Sequence, residues 1–267
     1  MASQTSTPPS NPTTTSKLPN IHLLCMQASS AQAFHTAVAT HFPTLSSHTT
    51  ITHHECSLKF LPKHITFTAI VSPANSYARL DGAFDDALAR AYMPNKEDYG
   101  WITRKAQAVV YREHRGFAPP GTCTIIRLDH SQPGDAPSKN PWKSSYLLLC
   151  PTMRVPQNVT WDREVVYECI WSLLCAVDRH NRAVRGNSSS SSSSSGIETE
   201  ITSLLMTPLA TGVGGVSEKR WAEQCVLAMK HWVEAVEHPE VWAQTEWRDV
   251  REKRDGEIKA TWRGEGR

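Results

Sequence analysis

Short, almost unbroken apolar runs alternate along this chain with stretches in which apolar residues return every three or four positions. The first run, 21–26, reads as a strand buried on both faces. Behind the capping pair Ser29 and Ser30, the spacing of Phe34, Ala37, Val38 and Phe42 predicts a helix. Strands are predicted at 50–54 and 65–71; Pro73 ends the second, and a loop at 75–81 leads into a helix over 83–92. A further helix over 99–114 stops at the Phe117 to Gly121 breaker. Strands follow at 123–127 and 146–150, joined by a Pro- and Gly-punctuated surface loop at 131–144. Val166, Ile170, Leu173 and Val177 stripe a helix over 162–181, and 201–206 is again a strand. The last long helix takes Ser217 as its N-cap and buries Trp221, Cys225, Ala228, Met229, Trp232 and Val236. This alternation predicts an α/β layer structure with a mostly parallel or mixed sheet, whose binding loops lie at the carboxyl ends of the strands.

Composition refines the picture at its edges. Residues 1–18 are rich in Ser, Thr and Pro and are expected to be a disordered tail. A single domain is expected over 19–240, interrupted at 186–197 by an insertion containing the serine run Ser188 to Ser195; 241–267 form an extension expected to add a peripheral helix. A net charge of +2 is too small for the one-signed surface of a nucleic-acid binder, so no specific nucleic-acid partner is expected. The seven cysteines include no CxxC pair and sit mostly in apolar runs, as in a reducing compartment. With no apolar leader, the expected location is cytoplasmic or nuclear, without a membrane partner. Adjacent His53 and His54 on a strand point to opposite faces, so no metal is expected, and nothing calls for a cofactor.

Two loops carry candidate chemistry. In the first, a buried strand stops at Pro73, presents Asn75 and Ser76, turns at Gly82 and starts a helix near Asp85. The Asn75 amide has both donors and an acceptor, and can either meet a ribose hydroxyl or brace its own turn. Asp85, at a helix start, is expected to be held as the anion by the unpaired helix amides. In the second loop, Gly212, Gly214 and Gly215 let the backbone curl around an anion just before a helix N-terminus; the alternative is a plain βα turn. It is neither a Walker A motif nor a GxGxxG fingerprint.

The strings IVSPANSYARLDGAFDDAL, CPTMRVP and PLATGVGG, in this order and separation, resemble the macro domain family, in particular a branch with SPANS and PTMRVP segments. The resemblance covers most of residues 20–238. It implies a three-layer α/β/α fold with a central mixed, mostly parallel sheet, and a cleft for ADP-ribose or an ADP-ribosylated protein or metabolite. The family's distal-ribose asparagine falls on Asn75 and the acidic residue of its hydrolytic members on Asp85, both catalytic candidates. The diphosphate loop falls on Thr211, Gly212, Val213, Gly214 and Gly215. Ser72 replaces the first asparagine of the common NAAN form, and Arg79 to Ala83, with Gly82, replaces a glycine-rich turn. The adenine-side aspartate falls near Ser57, between Glu55 and Leu58. Hydrolysis of an ADP-ribosyl bond at the distal ribose, recognition without turnover, and phosphatase action on ADP-ribose 1''-phosphate all use these loops.

Overall fold

The computed structural model describes residues 18–128, 139–187 and 198–262. Strands β1 (Asn20–Leu24), β2 (Ile51–His54), β3 (Ala69–Ser72), β4 (Thr124–Arg127), β5 (Tyr146–Leu149) and β6 (Ser203–Met206) form one sheet in the order β2-β1-β6-β3-β5-β4. Every neighbouring pair is parallel except β4 with β5. The long helices are α1 (Ala28–His41), α2 (Ala83–Tyr92), α3 (Trp101–His114), α4 (Val165–Asn187) and α5 (Glu218–Glu237).

Alternation of side chains along each strand divides the core in two. Val71, Tyr146, Leu148, Leu204 and Met206 join a cluster with residues of α1, α4 and α5, whereas Ile70, Leu147, Leu149 and Leu205 join one with α2 and α3. Both faces of the central strands are therefore covered, which is why their sequences read as unbroken apolar runs. The result is a three-layer α/β/α architecture around a mixed, mostly parallel sheet.

Element ends depart from expectation where tertiary contacts intervene. Helix α4 runs beyond 181 to Asn187, because Val184 continues its buried stripe and Arg185 pairs with Glu200 at 2.8 Å. Gly186 and Asn187, read as the start of the insertion, thus end a helix. Strand β3 begins at Ala69, while the preceding Thr68 donates its N–H to the Ser203 carbonyl at 3.1 Å. Leu18, read as the last residue of the tail, is buried in the core. Residues 1–17, the run Ser188 to Ser195 and most of the 131–144 loop lie outside the described residues.

Beyond α5 the chain continues through α6 (Pro239–Trp242), α7 (Trp247–Asp249), a π turn (Val250–Arg254) and α8 (Asp255–Ala260). These short pieces dock onto α4 and α5. Glu257 lies 2.8 Å from Nε2 of buried His231, whose Nδ1 is 3.0 Å from the Tyr167 hydroxyl. Arg254 sits over the Trp242 ring at 3.6 Å, and that ring stacks on Trp171.

Helix α2 is anchored by fully buried Leu88, Ala89 and Tyr92. Truncating Leu88 to alanine removes methyl groups from a packed site, so urea denaturation should report a loss of about 3 kcal/mol.

Candidate ligand-binding site

Parallel strands point their carboxyl ends the same way, so the loops behind β1, β3, β5 and β6 meet at one end of the sheet. They enclose a cavity of about 230 Å³. Its lining comprises Met26, Pro73, Ala74, Asn75, Arg79 and 81–85, then Thr152, Met153 and Pro156, and finally Thr207, Pro208 and 210–214. A second cavity of about 250 Å³ lies where β1 and β6 begin, against Leu18, Thr202 and Trp232. Its polar side chains Asn181 and Arg185 are engaged by Ile201 and Glu200, whereas the first cavity gathers most of the candidate residues.

Asn75 lines the cavity and braces its own turn. Its Oδ1 accepts from the N–H groups of Tyr77 at 3.1 Å and Arg79 at 3.3 Å, and its Nδ2 donates to the Arg79 carbonyl at 2.8 Å. These bonds close a loop in which Ala78 takes the left-handed φ of 53°. One Nδ2 hydrogen remains for a ligand. At the mouth, Arg79 pairs with Asp81, which holds the only cationic side chain of the lining.

The turn into α2 differs from its sequence reading. Gly82 has an extended φ of −136°, and Ala83 carries the left-handed φ of 50°. Asp85 lies in the first turn of α2, but no helix amide donates to its carboxylate among the described residues. Ser72, buried and outside the lining, donates its hydroxyl to Asp85 Oδ1 at 2.6 Å. Burial raises the Asp85 carboxyl to about 7; the Ser72 hydrogen bond opposes the rise and nearby Asp81 adds to it. The expectation of an anion stabilised by the helix start is therefore overturned, because desolvation outweighs every donor that reaches this carboxylate.

The glycine loop links β6 to α5. Gly215 donates its N–H to the Gly212 carbonyl at 3.0 Å and Val216 donates to the Ala210 carbonyl at 3.1 Å, while the Gly214 carbonyl accepts from Val159 at 2.8 Å. Ala210 and Gly215, with φ of 61° and 71°, supply the reversals. Residues 209–210 form a turn that directs the Thr211 N–H to the Pro208 carbonyl, whereas the N–H groups of Gly212, Val213 and Gly214 find no acceptor among the described residues, and all four residues line the cavity. Gly215 does not line it; a Cβ there would lie 2.6 Å from the Asn158 amide. Ser217 caps α5 by accepting from the Arg220 N–H at 3.2 Å.

No protein-family model matches this sequence, and no curated protein matches it. Similar solved structures are macrodomains of Oceanobacillus iheyensis. One, with ADP, is 16% identical with a TM-score of 0.39, covering 62% of this chain and 70% of its own. A point mutant with ADPR is 15% identical with a TM-score of 0.39, covering 62% of this chain and 72% of its own. Likeness of this degree assigns no role to any residue.

The structure does not bring the three adenine-side candidates to the cavity. Leu58 is buried in the core on the α2 and α3 side, where an aliphatic side chain belongs, and neither Ser57 nor exposed Glu55 is part of the lining. Met26, exposed at the end of β1, stands at the cavity in their place. Arg154 is exposed and outside the lining; its carbonyl accepts from the Ser76 N–H at 3.3 Å. Sequence reasoning also missed Phe84, Thr152, Met153 and Pro156. Thr152, Met153 and Pro156 lie in the CPTMRVP string just after β5, and Phe84 lies in the first turn of α2 beside Asp85.

Proposed function

We propose that this chain is a macro domain that binds ADP-ribose or an ADP-ribosylated group in the cavity at the carboxyl end of its sheet. The observation that carries this reading is that Gly212, Val213 and Gly214, whose amides have no acceptor among the described residues, line a cavity that Asn75 and Asp85 also line. Main-chain N–H groups that converge without acceptors are a ready site for a diphosphate. The ribose beyond the diphosphate would then lie toward Asn75 and Asp85. Calorimetry with ADP-ribose should give saturable one-to-one binding. Binding of some other nucleotide in its place would overturn the substrate class while leaving the fold intact.

In this reading Asp85 also serves hydrolysis of an ADP-ribosyl ester. Its carboxylate takes a proton from water as that water bonds to the distal ribose carbon. The bond from that carbon to the ester oxygen breaks, and its electron pair leaves with the released carboxylate. With the Asp85 carboxyl at about 7, the base form is scarce below that pH and dominates above it. Turnover should therefore rise with pH through about 7 and level off. A rate independent of pH between 5 and 9 would remove Asp85 as the base.

A second reading, recognition without turnover, draws on the bracing of Asn75. An amide whose oxygen is engaged by its own loop has less freedom to place a ribose for reaction. Binding of a mono-ADP-ribosylated protein without release of the modification over hours would favour it.

A further inference from the structure

We propose that Cys123 and Cys150 are a redox-active thiol pair, which hydrogen peroxide converts into an intrachain disulfide and a small dithiol restores.

The two residues stand at the paired ends of β4 and β5. Thr124 opposes Leu149 in the antiparallel register, so the next opposed pair is Cys123 with Cys150. The Cys150 N–H donates to the Ser72 carbonyl at 2.9 Å, on the β3 side, while the Pro151 carbonyl turns the other way and accepts from Gly121 at 3.0 Å. Cys150 thus turns its N–H away from Cys123, which marks the two as a non-hydrogen-bonded pair. In such pairs the Cα atoms approach to about 4.5 Å. A disulfide bridges Cα atoms about 4.4–6.8 Å apart. Both side chains pack in the cluster on the α4 and α5 side, and their thiols already share a hydrogen bond.

Access separates their roles. Cys150 is buried, and its thiol is held well above the usual range by the hydrogen bond with Cys123 and by burial, whereas Cys123 is partly exposed. Peroxide therefore meets Cys123 first. The Cys123 sulfur bonds to one peroxide oxygen, the O–O bond breaks, and the thiol proton leaves with the other oxygen as water. The Cys150 sulfur then bonds to the sulfenic sulfur, the S–O bond breaks, and the Cys150 proton departs with that oxygen as a second water. The two thiols lose two electrons and the peroxide gains them. Cys150 ionises reluctantly, but its attack is intramolecular and its sulfur is already in place. Other close thiols are worse disposed. Cys169 is buried and its Sγ donates to the Pro151 carbonyl at 3.4 Å, and Cys25 and Cys225 lie near one another but are both buried.

The test treats the reduced full chain with hydrogen peroxide and reads its intact mass and its linked peptides. The wild type should lose about 2 Da, the two thiol hydrogens, with Cys123 joined to Cys150, and dithiothreitol should restore the original mass. Cys123→Ser, at a partly exposed position, should abolish the bridge. Cys56→Ser, which removes another partly exposed thiol, should bridge as the wild type does. Cys150→Ala should instead leave a sulfenic acid on Cys123 that dimedone traps. Should that truncation not fold, the Cys123→Ser chain and the wild-type peptide map carry the test by themselves. A wild type that keeps all its thiols free under peroxide would overturn the proposal. So would a bridge from Cys123 to Cys169 or Cys175, the other thiols beside it, or covalent dimers in place of an intrachain link.

Discussion

Asp85→Asn is expected to lose turnover and gain stability at the same time. The carboxyl is raised from 3.8 to about 7, chiefly by burial, so the folded chain prefers it protonated. Its contribution to stability is fully present below about pH 3.8 and fades as the pH rises through about 7. At pH 8 the wild type must keep a charge in a site that strips it of water. Asparagine still accepts the Ser72 hydroxyl through its oxygen and carries no charge. Denaturation in urea should show the variant more stable at pH 8 by up to about 4 kcal/mol, with the difference shrinking towards pH 5. Hydrolysis of an ADP-ribosyl ester should fall ~100-fold or more, the ordinary scale for loss of acid-base assistance. Equal stability at both pH values would show that the carboxylate is not strained by burial. Undiminished turnover would take it out of the chemistry.

Gly212→Glu should reduce ADP-ribose affinity by roughly 100-fold or more while leaving the fold intact. A Cβ at Gly212 meets nothing within 4 Å, so a side chain fits there, and the residue borders the cavity beside the unspent amides. The added carboxylate would oppose the diphosphate directly. Gly214 is a poorer probe, because a Cβ there would lie 2.4 Å from the Ala210 carbonyl oxygen. Any side chain at 214 must rearrange the loop, which confounds lost charge complementarity with lost shape. Gly212→Ala should keep the fold and most of the affinity, and a Gly212→Glu chain that melts normally and still binds would reduce the loop to a connector.

The sheet was legible in sequence because both faces of its central strands are buried. Burial on both sides leaves no polar positions to break the run from Leu147 to Leu149, and the helical spacing between runs is equally plain. The ends were not legible. Where β3 starts and α4 stops depends on Ser203 and Glu200, residues remote in the chain, and no local propensity encodes them. The site divides in the same way. The glycine loop announced itself through composition, and the placement of Asp85 at the start of α2 through its position behind Gly82. Spacing could not tell that Asn75 would spend its oxygen on Tyr77 and Arg79, or that Ala83, not Gly82, would adopt the left-handed turn. Nor does a string of letters reveal desolvation. Asp85 and Thr152 look like ordinary loop and helix-start residues until their surroundings close over them.

The glycine loop has an evolutionary implication. A binding surface made from main-chain amides places its demands on the path of the backbone and few on side-chain identity. At Val213 the amide would serve under many other side chains, and at Gly212 there is room for one. Gly214 is confined by Ala210, and Gly215 by its φ of 71° and by Asn158. Substitutions should therefore accumulate freely along most of the loop and be purged at Gly214 and Gly215, so that two glycines and the shape they permit outlast nearly every other letter of the site as lineages diverge.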